Sequence, residues 1–269
     1  MMDRRRTAAN GRVAATELKG VVAAEHYSDG SPAWVSVPVA DLLDTPDGKR
    51  DRQLIAGTPV RVYDTIGSMH FVQSLRDGYV GYLKQTQLSP AWQATHRVAV
   101  TATHAFRDPD IKSPDLCRIS YGAQLTVFGI DNKMAKTPLG FVPEQMLGEI
   151  DKLDTNPSQQ ALKFVGVPYL WGGNSADGID CSGLVQMALQ GCGIDCPGDS
   201  DMQRDEVGTL LPPDTPTQSG DLFFWPGHVA MAVDQTRIVH ANAHHMAVTV
   251  ETIEIGFNRM GQPTHHRRP

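Results

Sequence analysis

The chain has 269 residues, 41% hydrophobic and 20% charged, an ordinary globular composition with room for one to three compact domains. A formal net charge of -6, with no cluster of Lys or Arg to present a phosphate-binding face, excludes nucleic acid as the expected partner. No stretch approaches the roughly 18 consecutive apolar residues of a membrane span, so no membrane partner is expected either.

Arg4, Arg5 and Arg6 could open a signal peptide, but no apolar run follows them, and the expected location is cytoplasmic. Residues 1–20 read as a polar N-terminal leader, with packing on the body and fraying both open to it. Residues 21–92 then alternate in short runs. The segments 60–65, 70–75 and 79–84 read as strands, divided by turn signals at Gly67 and at Asp77-Gly78. Closely spaced short strands predict a small all-β barrel or sandwich.

Residues 93–150 repeat the style, with strands expected at 96–101, 124–130 and 140–143. Both stretches carry a Gly-aromatic-Val element late in the unit, Gly78-Tyr79-Val80 and Gly140-Phe141-Val142. That is weak internal repetition, compatible with two copies of one β-module.

A third region, 155–269, follows the polar stretch 151–158. Asn156 or Ser158 can cap a helix with Pro157 at its first position, running to Gly166. Beyond it the pattern becomes α+β. A Gly-rich loop leads into a helix over 181–191, and strands follow near 221–225, 228–233, 238–243 and 247–251. The chain has four cysteines: Cys117, Cys181, Cys192 and Cys196. In a cytosolic chain they are expected as reduced thiols. Cys192 and Cys196 lack a nearby Cys/His pair to complete a zinc site, so they read as small buried side chains. No metal and no cofactor are expected.

The sharpest feature is the segment 169–186, YLWGGNSADGIDCSGLVQ, which places Cys181 at the start of a helix. The unpaired N–H groups and the dipole there favour a thiolate, so the thiol pKa is expected to fall. The same N–H groups can bind an oxyanion. A buried structural cysteine is the competing reading of this loop. A thiolate nucleophile also needs a base, and the base an orienting partner. His228 opens one expected strand and His240 lies on the next. A two-residue turn between them would put the histidines on opposite faces. A three-residue turn at Asp234-Gln235-Thr236 makes them diagonal neighbours on one face, about 7–8 Å apart. An odd-length connection or a bulge is therefore expected. His244, His245, His265 and His266 read as solvated or locally hydrogen-bonded.

The motifs PYLWGG (168–173) with GIDCSGLVQ (178–186), GDLFFWPGHVAMAV (220–233) and IVHANAH (238–244) resemble the NlpC/P60 family of papain-like cysteine peptidases, over about residues 157–255. The resemblance implies Cys181 as nucleophile, His228 as general base, His240 as its orienting residue and Tyr169 beside the nucleophile. The two preceding modules resemble bacterial SH3 (SH3b) domains. The expected architecture is thus an α+β papain-like catalytic domain, 155–269, preceded by two small all-β SH3b-like barrels, 21–92 and 93–150.

That combination is similar to γ-D-glutamyl-L-diamino acid endopeptidases, which act on murein-derived peptides bearing a free N-terminal L-Ala. By the same resemblance Asp180 would pair with the substrate's α-ammonium, Ser182 and Ser200 would help close the pocket, and the first module would contribute Tyr79 or Tyr82 and the acid Asp51. Two rivals stay open: another thiol amidase or acyltransferase on the same scaffold, and a wall-binding protein whose catalytic domain is inactive.

Overall fold

Short apolar runs divided by turns make strands the main regular structure of the first 150 residues, with only short 3₁₀ turns beside them. A computed structural model describes residues 2–269; of the leader, only Met1 lies outside them. Two compact units meet at Ile150 and Asp151 in the sequence, and each is described by itself.

In the first unit the expected strands appear as Pro59–Ile66, Met69–Ser74 and Val80–Lys84, neighbours in an antiparallel seven-stranded sheet. The leader does not fray. Val13–Ala15 pairs in parallel with His26–Ser28, and Val13, Ala15 and Ala8 enter the cluster around Phe71 and Tyr82. Three consecutive small apolar residues, all buried, account for that docking.

Residues 96–149 form a five-stranded and a three-stranded sheet. The strand expected over 96–101 stops at Val98, and that over 124–130 splits into Gln124–Leu125 and Gly129–Asp131, in different sheets. The residues between leave the ladder because Val127 N–H bonds the Thr95 hydroxyl instead. One supersecondary unit recurs: Val80–Lys84, a 3₁₀ turn at Gln85–Gln87, then Leu88–Pro90; and Gly140–Pro143, a 3₁₀ turn at Glu144–Met146, then Leu147–Glu149.

The second unit sets four helices with a six-stranded antiparallel sheet and a two-stranded hairpin, Asn174–Ser175 with Gly178–Ile179, in the loop before Cys181. Helix α1 is Pro157–Leu162, and Asn156 is its cap, accepting from Gln159 N–H; the turns after Leu162 are no longer α-helical. Helix α2 is Cys181–Gly191, α3 is Ser200–Glu206 and α4 is Ile253–Met260. The strands of the larger sheet are β1 Thr209–Leu210, β2 Leu222–Trp225, β3 His228–Ala232, β4 Arg237–Asn242, β5 Ala247–Thr252 and β6 His265–Arg268. Their order across the sheet is β1-β6-β2-β3-β4-β5.

Strand β6 was unreadable from pattern because His265, His266, Arg267 and Arg268 show no apolar alternation. Charge holds it instead. Asp221 is fully buried, with His266 Nε2 at 2.9 Å from one oxygen and Arg268 Nε at 2.7 Å from the other. Burial pushes that carboxyl up, but Arg268, the Gln218 N–H and His266 outweigh it and hold the pKa below its ordinary value. Among the described residues no helix is long and apolar enough to cross a membrane.

Candidate active site

Strands β2 and β3 join through Pro226-Gly227, with Gly227 at φ +73°, the pairing that a type II turn favours. This tight turn makes His228 the first residue of β3. In the next hairpin Met231 opposes Val239 and Ala232 opposes Ile238, and Val233 N–H bonds Arg237 C=O around Asp234-Gln235-Thr236. The connection therefore has the odd length expected. Asp234 fixes it by accepting from the N–H groups of Thr236 and Arg237.

Continued to the strand ends, that register leaves His228 and His240 on one face, diagonal to each other. Their Nε2 and Nδ1 atoms lie 2.9 Å apart, with ring centroids at 5.1 Å. Trp225, directly opposite His228, flanks its ring at 5.8 Å. The other face of these strands carries Val229, Met231, Val239 and Ala241, all buried.

Cys181 is the first residue of α2, as expected, and is 7% exposed. Asp180 caps the helix: one carboxylate oxygen accepts from Gly183 N–H at 2.6 Å and the Ser182 hydroxyl at 3.0 Å, the other from Gly172 N–H at 3.0 Å. Gly183 is required where the Gly-rich loop folds over the helix start, since a Cβ there would lie 2.5 Å from Gly173 C=O. The N–H groups of Val229, Ser182 and Cys181 itself bond the sulfur. The Val229 contact brings the start of β3, and hence His228's neighbour in sequence, onto the thiol.

The expected fall in the thiol pKa is overturned. Burial, and then the Asp180 charge, push Cys181 up to about 12, and the three N–H groups only oppose this. Solvation decides the sign: the helix end offers partial charges, whereas removing water penalises a full charge. Tyr169 sits in the same cluster, pushed up to about 12 by burial and then by Cys181 and Asp180. His228 moves the other way, down to about 3, through burial first and then His240 and Arg259. His240 falls to about 4, again chiefly through burial. The site at rest thus holds a protonated thiol and two neutral imidazoles.

Ser182 C=O accepts from Gln203 Nε2, which ties α3 to α2, and Ser200 opens α3, half-buried. The residues expected from the first module stand within its own structure. Tyr82 is a core residue, packed at 5.2 Å on Phe71 with its hydroxyl bonded to Asn10. Tyr79 lies just before the strand Val80–Lys84 and is 2% exposed, with the Arg52 guanidinium 5.5 Å above its ring. Asp51 pairs with Arg4 at 2.8 Å. All four cysteines are free thiols, Cys196 buried and Cys192 partly so.

One acid at the site has no signal of its own in the sequence pattern. Glu251 on β5 lies diagonal to His240, which opposes Thr249, and its Oε1 is 2.9 Å from His240 Nε2. The parity that joins His228 to His240 finds Glu251 when carried one strand further.

A buried thiol at a helix start, set against an antiparallel sheet with paired histidines, defines a cysteine peptidase. Residues 166–260 match the NlpC/P60 family, and residues 42–88 match the bacterial dipeptidyl-peptidase Sh3 domain. The gamma-D-glutamyl-L-lysine dipeptidyl-peptidase of Bacillus cereus is 32% identical over 231 residues, covering 73% of this chain and 68% of that protein. Dipeptidyl-peptidase 6 of Lysinibacillus sphaericus is 26% identical over 251 residues, covering 82% of this chain and 92% of that one. The crystal structure of an NlpC/P60 family protein from Bacillus cereus shares the fold, with a TM-score of 0.74 over 88% of this chain and 99% of the other, at 20% identity. The chain belongs to the NlpC/P60 family.

Proposed function

We propose that this peptidase hydrolyses the γ-D-glutamyl–diamino acid amide bond of short murein peptides with a free N-terminal L-Ala. Cys181 is the nucleophile, His228 the general base and His240 its orienting partner. The observation that carries this reading is the 2.9 Å contact between His228 Nε2 and His240 Nδ1, on a strand whose Val229 N–H bonds the Cys181 sulfur. The Bacillus cereus relative is named for γ-D-glutamyl-L-lysine, which supports the bond type.

In this mechanism the thiol proton passes to His228 as the sulfur attacks the γ-carbonyl carbon. The oxyanion collects the N–H groups at the start of α2. The tetrahedral species collapses to a thioester as the imidazolium gives its proton to the leaving amine. Water, deprotonated by His228, then cleaves the thioester and returns the thiol.

Asp180 links specificity to activation. Its charge is the second largest contribution holding the thiol protonated, and a substrate ammonium beside it would cancel that contribution. Residues 93–150 are read as a second SH3b-like module, on the strength of the repeated strand–3₁₀–strand unit.

The test is mass spectrometry of products from defined muropeptides. Cleavage after γ-D-Glu only when the N-terminal L-Ala is free, abolished in Cys181→Ala, is the expected result. Equal cleavage of blocked and free peptides would contradict the specificity, and retained hydrolysis in Cys181→Ala would contradict the mechanism.

A further inference from the structure

Three strands place three ionisable side chains in a diagonal line: His228 on β3, His240 on β4 and Glu251 on β5. His240 is fully buried between the other two, and the Glu251 side chain is 8% exposed. Behind Glu251, Arg259 of α4 binds its carboxylate in two-pronged fashion, Nη1 to Oε2 at 2.8 Å and Nη2 to Oε1.

Helix α4 is built to hold that clamp. Thr252, the residue after Glu251, caps the helix by accepting from Ile255 N–H. Phe257 packs edge-on to Phe223 and Trp225, and Trp225 Nε1 donates to Gly261 C=O at 2.8 Å. Gly256 clears the carboxylate: a Cβ there would come within 3.3 Å of Glu251 Oε1 and 2.8 Å of Ile238 Cδ1.

The consequence lies in where the protons sit. A bare, partly negative His240 Nε2 would sit 2.9 Å from a carboxylate oxygen, and the two acceptors repel, so Nε2 carries the proton. The oxygen lies off the N–H axis, so the contact acts through charge rather than as an aligned hydrogen bond. In neutral His240 the bare nitrogen is then Nδ1. Only a donor can face it at 2.9 Å, so His228 Nε2 carries the proton and His228 Nδ1 is left as the basic atom.

We infer that Glu251, held by Arg259, is a positioning residue that selects the tautomers of His240 and His228 and so makes Nδ1 the nitrogen that receives the thiol proton. The inference rests on the reading of His228 as general base. Arg259 has a second part in it. Its cation offsets Glu251, so the carboxylate can orient His240 without protonating it. The charged and titratable groups facing the two imidazoles are Glu251 from β5, Arg259 from α4 and His245 from the loop after β4; from α2, Cys181 bonds the N–H of Val229, the residue after His228, and α1 carries no charged side chain.

The test combines ¹⁵N NMR of the imidazoles with kcat/KM against pH, in wild type, Glu251→Leu, Glu251→Asp and Arg259→Met. Wild type is expected to show a proton on Nε2 and a bare Nδ1 at both histidines. Glu251→Leu is expected to mix the tautomers and to lower kcat/KM through kcat, by about 10-fold or more, with roughly 10⁴-fold as the bound set by loss of an orienting carboxylate. Glu251→Asp restores the tautomer and part of kcat. Removing the anion moves the acid limb of kcat/KM down, whereas removing the cation in Arg259→Met moves it up. A merely structural pair would not shift the limb in opposite directions.

A wild-type spectrum with the proton on His228 Nδ1 overturns the inference, whether or not any variant folds. So does Glu251→Leu with wild-type tautomers. Hydrolysis surviving in Cys181→Ala would instead overturn the catalytic reading, leaving the tautomers as measured.

Discussion

The sheet face and the helix start both present catalytic groups, yet different physics governs them. On the sheet, pleat and turn length decide which side chains meet. A three-residue connection brings His228 and His240 to 2.9 Å, and one more step of alternation reaches Glu251. At the start of α2 the same kind of local rule, that a helix N-terminus favours a thiolate, gives the wrong sign. Cys181 is pushed up to about 12 because burial and Asp180 outweigh the N–H groups that face its sulfur. Geometry is inherited from backbone periodicity, whereas charge state depends on everything packed around the group.

The largest expected effect breaks the comparison at its centre. Cys181→Ala should abolish hydrolysis, a loss on the order of 10⁶ in kcat as for other thiol and serine nucleophiles, with peptide binding kept. His240→Ala should cost about 10²–10⁴-fold in kcat and leave KM within a few-fold, since it orients the base and touches no substrate. Steady-state kinetics on one muropeptide checks both.

Asp180→Asn is the variant that sharpens the contrast. Asn keeps a cap acceptor for Gly183 N–H, so α2 should survive. It removes the charge that raises the thiol. Blocked and free N-termini should then be cleaved at similar rates, a loss of selectivity read from the ratio of the two kcat/KM values.

The pH dependence follows from the histidines. His228, held down to about 3, stays an unprotonated base far below the usual 6.5. The acid limb of kcat/KM should therefore lie well below pH 6.5. The same depression carries a stability cost on acidification. The unfolded chain binds protons at its histidines before the folded one does, so stability contributed by neutral His228 and His240 is present above 6.5 and falls as the pH drops toward their folded values. The smallest expected effect is Gly256→Ala. Crowding of Ile238 and Glu251 should cost about 1–3 kcal/mol, partly offset by about 1 kcal/mol of helix propensity, in denaturant unfolding.

Much of this was legible in the amino-acid sequence, and the exceptions have causes. The apolar runs of β2, β3 and β4 alternate or stay continuous, and each was placed to within a residue or two. The Asn156-Pro157 start and the 181–191 helix carry strong end signals. Helix α3, by contrast, is a short polar segment with Met202 as its single apolar residue, and β6 is basic throughout, held by buried Asp221. Glu251 is illegible in the sequence because a lone acid on a strand has the pattern of a solvated one, and only the fold brings Arg259 of α4 over it.

The central claim is that Cys181 rests as a neutral thiol and that Asp180 helps keep it so. The most direct measurement is the rate of alkylation of Cys181 against pH, followed by peptide mass spectrometry so that Cys117, Cys192 and Cys196 are scored separately. Wild type should titrate above the ordinary 9.0 of a cysteine, and Asp180→Asn should titrate lower than wild type. A thiolate already present at neutral pH, unchanged in Asp180→Asn, would contradict the account.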